Sequence, residues 1–233
     1  MAVSVRGVVT VLLPGTGSDD DYLLRALGGP LDEAGAVVRA VRPDPGGVVN
    51  GYLRTLEEAS RDGPIALGGI SLGAAVAAQW ALAHPESTVA VLAVLPPWTG
   101  APDDAGASVS ARHTAALLRH DGLAATAAAM RASSPAWLGE ELTRSWTRQW
   151  PGLPDAMEEA AAYVAPSAEE LERLRAPLGV VAATDDLIHP LEVAVEWATA
   201  APRAALRKVR LADFGPRPRL LGDACVAALA AID

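Results

Sequence analysis

Short runs of β-branched residues alternate with longer Ala- and Leu-rich helical patterns along most of the chain, and no other feature narrows its fold so far. Strands are expected at 7–13 (GVVTVLL), 36–42 (AVVRAVR), 64–70 (PIALGGI), 88–95 (TVAVLAVL), 177–183 (PLGVVAA) and 205–211 (ALRKVRL). Helical patterns lie between most of them, at about 19–34, 47–61, 72–83, 190–201 and 217–231. A strand that is apolar on both faces needs cover on both faces. The alternation therefore indicates an α/β fold, with a mostly parallel sheet of about six strands flanked by helices.

One stretch breaks the rhythm. Residues 99–175 contain no convincing strand, only amphipathic or Ala-rich helical segments interrupted near Gly122, Pro135, Pro151 and Pro166. A run of about 75 residues is far too long for an ordinary crossover between two strands. Residues 1–98 and 176–233 are accordingly expected to form the core, and residues 99–175 an inserted helical cap.

Composition excludes several classes of function. With 233 residues and a formal charge of −9, the chain suits one compact domain and carries no basic stripe; Lys208 is its only lysine. Nucleic acids and anionic membrane surfaces both require clustered positive charge, so neither is expected as a partner. Cys225 is the only cysteine, which rules out an intramolecular disulfide and argues against a cysteine zinc site. No metal or cofactor is expected. The apolar run Val8 to Leu13 ends at Pro14-Gly15 and reads as a strand entering a turn rather than a signal peptide. No run is long enough to span a membrane, and a cytoplasmic location is expected.

The chemistry concentrates in residues 68–73, GGISLG, where Ser71 stands between Gly69 and Gly73 at the junction of the third strand with a helix. A sharp turn there lifts a hydroxyl above the sheet, and the glycines remove side chains that would collide across it. The helix N-terminus directs free amides and partial positive charge at the same place. A serine acting only as a helix N-cap is the plainer reading, but a cap does not require flanking glycines.

This turn, in this strand–helix order, resembles that of the α/β-hydrolase superfamily, and the resemblance runs over nearly the whole chain. It implies that Ser71 is a nucleophile. It also implies that the loop after the first strand, LLPGTGSDDDY, supplies one oxyanion amide. The usual His-Gly opening of that loop is here Pro14-Gly15, while Thr16-Gly17 keeps the pattern that follows. The backbone amides of Thr16 and Leu72 are the donors so assigned. Read without the resemblance, the loop is a Gly-rich turn with Ser18 capping the next helix and Asp19, Asp20 and Asp21 in its first turn.

The segment VVAATDDLIHP resembles the one that carries the family's triad carboxylate; aligned on Pro190, Asp186 is the acid and Asp185 its neighbour. The family histidine should follow the last strand, in VRLADFGPRPRL, but Gly215-Pro216 stands where a Gly-His step is usual. No histidine follows position 189. His84 and His120 read as helix caps, and His113 lies in the body of a cap helix. His189, three residues after Asp186, is the candidate for a displaced base; the other reading is a ring packed beside the turn. Arg217 and Arg219, near the vacant position, are open to anion binding or to simple solvation.

Trp137, Trp146 and Trp150 in the cap, with Trp98 before it, either line an apolar chamber over Ser71 or hold the cap helices together. Trp146 and Trp150 are spaced to share a helix face. Two functions are consistent with these residues. One is a serine hydrolase using Ser71, Asp186 and His189, with a small ester, thioester or lactone as its partner molecule. The other is a non-catalytic relative that binds a small apolar ligand or a protein partner. The distance between Ser71 and His189 separates them.

Overall fold

The computed structural model of the protein describes residues 3–233. Six strands form one sheet: β1 (Val9–Leu13), β2 (Val37–Ala40), β3 (Ile65–Ile70), β4 (Thr88–Val94), β5 (Leu178–Ala183) and β6 (Ala204–Val209). All neighbours pair in parallel, in the order β2-β1-β3-β4-β5-β6. The order reverses direction between β1 and β3, and in open sheets of this kind ligand sites form outside the carboxyl ends of the strands at such a point.

Helix α1 (Asp20–Leu23) continues through a π-helical turn, Leu24–Gly28, into α2 (Gly29–Glu33). The other core helices before the cap are α3 (Val48–Ala59) and α4 (Leu72–Ala83). The segment between β4 and β5 holds α5 (Gly106–Ser133), α6 (Ala136–Gln149), α7 (Leu153–Ala161) and α8 (Ala168–Leu171). Helices α9 (Leu191–Ala200), α10 (Leu211–Phe214) and α11 (Arg219–Leu229) follow β5 and β6. None of the helices described is long and apolar enough to cross a membrane.

Two apolar layers explain the apolar strands. On one face Leu67 and Ile65 of β3 join Tyr52, Leu56 and Trp197. On the other, Ala66 and Ile70 join Leu23, Leu27, Leu221 and Cys225. Alternate residues of one strand thus feed opposite layers, which leaves no polar face to alternate with. Helix α4 packs on β1, β3 and β4 and is buried almost all round, so its alanines let it lie close to the sheet. Burial pushes the Cys225 thiol up to about 12, leaving a small apolar filler.

The helical segment between β4 and β5 has its own apolar centre, built from Ala115, Leu118, Ala127, Trp146, Leu153 and Met157. Helix α5 is broken at Gly122, where φ is 78°. This segment also supplies what α3 lacks: Gly47, at its N-cap, has no side chain to offer. Glu159 of α7 takes the Val48 and Val49 amides instead, at 2.7 and 3.1 Å.

Several boundaries differ from the expectations. The last strand ends at Val209, and residues 211–214 turn into α10, because Asp185 accepts the amides of Leu211 at 2.5 Å and Ala212 at 3.4 Å. Asp19 rather than Ser18 caps α1, accepting the Tyr22 amide at 3.2 Å.

Close approach of backbone governs the centre of the sheet. A Cβ on Gly73 would lie 2.0 Å from the Leu13 oxygen, and one on Gly69 2.1 Å from the same atom. Gly73→Ala should therefore cost about 3 kcal/mol or more in urea unfolding. Gly28→Ala, whose Cβ meets only Leu24 side-chain atoms at 3.5 Å or beyond, should stay within about 1 kcal/mol of the wild type.

Candidate active site

Strand β3 ends at Ile70, and the next residue turns sharply. Ser71 has φ 53° and ψ −116°, in a region that residues with side chains rarely occupy and that costs on the order of 1–3 kcal/mol. The surroundings hold it there. Its amide donates to Val94 at 2.9 Å, and its carbonyl accepts from Ala74 and Ala75 to start α4. Ser71 is the N-cap of α4 by place, yet its hydroxyl makes no capping bond. Instead Oγ lies 3.0 Å from Nε2 of His189.

The loop between β5 and α9 builds the other half. Asp186 Oδ1 accepts the Ile188 amide at 2.8 Å and the His189 amide at 3.3 Å, closing a tight turn on itself. Asp186 Oδ2 lies 2.8 Å from Nδ1 of the same histidine. Burial by itself would raise the Asp186 carboxyl. The His189 hydrogen bond and charge and the two amides outweigh it and hold the group below its ordinary value of 3.8. An ionised carboxylate only accepts, so Nδ1 carries a proton, and in the neutral ring Nε2 presents its lone pair to the Ser71 hydroxyl. Asp185 points away, to the N-terminus of α10, and ties this loop to the chain beyond β6.

The loop after β1 passes against the serine turn: a Cβ on Gly15 would lie 3.4 Å from that of Ser71. The Ser18 amide donates to Gly15 at 3.0 Å, and Gly17 takes φ 72° inside that turn. The buried Tyr52 hydroxyl donates to the Pro14 carbonyl at 3.1 Å. Among the described residues, no acceptor takes the amide of Thr16 or of Leu72.

The remaining candidates lie elsewhere. His84 is the C-cap of α4, with Nδ1 2.9 Å from the Trp80 carbonyl oxygen and its ring stacked on that indole. His120 pairs with Asp121, and His113 is exposed on α5. Pro216 stands where the resemblance puts a histidine, and Trp137 covers the preceding Gly215 so closely that a Cβ there would lie 2.3 Å from its Nε1. Arg219 pairs with Glu33 and Asp223 on the surface, and Arg217 is 4.0 Å from Asp213.

The tryptophans do not gather over Ser71 as one set. Trp146 is buried against Gly17 and Met157, whereas Trp150 is the C-cap of α6 and 40% exposed, so the two do not share a buried face. Trp98 donates to the Tyr163 carbonyl at 3.1 Å.

Asp19, Asp21 and Glu141 bring three carboxylates within 4.8 Å of one another. Their charge is met within the protein by Arg25, Arg144 and Arg148. In the sequence only the run Asp19-Asp20-Asp21 signals this cluster, and no local pattern ties the arginines of α6 to it.

No family model matches this sequence, and no curated protein does. Solved structures do resemble it. MenH from S. aureus is 13% identical, with 97% of this chain and 94% of that one covered and a TM-score of 0.71. A thermophilic esterase from Thermogutta terrifontis is 18% identical, with 96% and 89% covered and a TM-score of 0.69. Est816, described as an N-acyl homoserine lactone degrading enzyme, is 16% identical, with 96% and 94% covered and a TM-score of 0.68. Such identities speak for architecture alone. Superposition along nearly the whole chain, with parallel strands in this order, establishes that the protein has the α/β-hydrolase fold.

Proposed function

We propose that the protein is a serine hydrolase acting on a small ester, thioester or lactone, with Ser71 as nucleophile, His189 as general base and Asp186 as the acid that orients it. One observation carries this reading: Asp186, His189 and Ser71 form an unbroken hydrogen-bonded series at 2.8 and 3.0 Å. The names of an esterase and a lactone-degrading enzyme among the structural neighbours support the same class of carbonyl chemistry.

In this mechanism Ser71 Oγ attacks the carbonyl carbon while Nε2 of His189 takes its proton. The resulting imidazolium is stabilised by the ionised Asp186. The tetrahedral oxyanion is received by the amides of Thr16 and Leu72, each donor being worth about 3 kcal/mol in such sites. Collapse expels the alcohol, thiol or ring oxygen, which is protonated from Nε2. Water, activated by the same nitrogen, then releases the acyl group and restores Ser71. His189 thus takes over the task of the histidine missing after β6.

A fluorophosphonate tests the nucleophile without a choice of substrate. Intact mass should show a single adduct on the wild type and none on Ser71→Ala. In His189→Gln the labelling rate should fall by about 10³-fold or more. Labelling of that variant at the wild-type rate would remove His189 from the mechanism.

The pH dependence of stability follows from Asp186. Its carboxyl sits lower in the folded than in the unfolded chain, so its contribution is complete above the ordinary value of 3.8 and is lost as pH falls through the depressed one. Thermal midpoints should accordingly drop below about pH 4, and drop less in Asp186→Asn than in the wild type.

A further inference from the structure

Three successive residues of the loop after β1 are each held by a different residue of the cap helix α6. Gly17 lies against Trp146: a Cβ there would be 2.8 Å from the indole Nε1. Ser18 offers its carbonyl to Gln149 Nε2 at 3.0 Å, and that amide also donates to Ser145 Oγ at 2.8 Å. Asp19, 2% exposed, receives both arms of Arg144 at 2.7 and 2.9 Å, with Arg148 at 3.4 Å. Glu141 in turn binds Arg144 and reaches across to Arg25. On the other side of the loop, Pro14 is held by Tyr52. Thr16 therefore sits between two clamps, one from the core and one from the cap.

We infer that Arg144, through its two-armed bond to Asp19, is a positioning residue for the Thr16 amide, and that α6 is a fixed part of the catalytic site. The inference rests on the proposed hydrolase reading. A planar guanidinium that meets both oxygens of a buried carboxylate fixes orientation as well as distance, which a lysine does not. Asp19 passes this constraint on at both ends. It caps α1 through the Tyr22 amide, and it directly follows the turn of residues 15–18, which contains Thr16 and is closed by the Ser18 amide. An amide moved by a fraction of an ångström from the developing oxyanion loses much of its effect on the rate while leaving ground-state binding alone.

The test uses Arg144→Gln and Arg144→Lys, with p-nitrophenyl acetate as substrate and phenylboronic acid as a tetrahedral mimic. Fluorophosphonate titration gives the active fraction. For Arg144→Gln, kcat should fall on the order of 10–100-fold with KM within about 2-fold, and the inhibition constant of the boronic acid should rise in step with the loss in kcat. Arg144→Lys should fall between it and the wild type. Arg119→Gln removes another cap arginine, one that binds Glu158 and Asp155 on the surface, and should leave kcat unchanged. If Arg144→Gln does not fold, Gln149→Met, which releases the Ser18 carbonyl and the Ser145 hydroxyl but leaves the Arg144–Asp19 bond in place, should show the same pattern more weakly. The inference is overturned if kcat and boronic acid inhibition stay at wild-type values, if KM rises with kcat unchanged, or if Arg119→Gln matches Arg144→Gln. A wild type that fluorophosphonate does not label would instead overturn the hydrolase reading beneath it.

Discussion

The carbonyl oxygen of Leu13 is approached so closely by Gly69 and Gly73 that neither has room for a methyl group. That contact closes β1 against the start of α4 and fixes the strained turn that joins β3 to that helix. Its cost is spread over buried hydrogen bonds and an apolar helix that together leave Ser71 no other conformation. It also fixes the distance between the serine turn and the loop after β1. The site at the switch point of the sheet depends on this single junction of backbone with backbone.

The second organising fact is how charge is divided between two adjacent aspartates. Asp186 spends one oxygen on backbone amides and the other on His189, while Asp185 binds the first turn of α10. The first builds the proposed acid–base pair, and the second moors its loop to the far side of β6. Neutralising one would therefore not reproduce the loss of the other, despite their adjacency and identical chemistry.

Much of the architecture was legible because it is written in short-range pattern. The apolar strands, the Ala-rich α4 and the glycines around Ser71 each express a constraint that acts within a few residues, as does the three-residue spacing of Asp186 and His189. What escaped the sequence acts at long range. Residues 205–211 read as one strand, but Asp185, 26 residues before Leu211, bends its end into a helix. Arg144 meets Asp19 across 125 residues, and nothing in either neighbourhood announces the other. The spacing of Trp146 and Trp150 suggested a shared face, yet α6 ends at Gln149 and leaves the second ring outside. Trp137 fills the place beside Gly215, which the sequence marks only as lacking histidine.

The turn that unites Asp186 with His189 has a further consequence for how the molecule tolerates motion. In a triad drawn from separate loops, the acid and the base drift apart whenever neighbouring strands shear. Here both sit on one hydrogen-bonded turn whose internal distances are set by its own backbone. Shifts between neighbouring strands leave the distances within that pair to its own turn. The gap between that turn and the strained serine, 3.0 Å from Nε2 to Oγ, is then the one distance in the proposed relay that the turn does not set by itself.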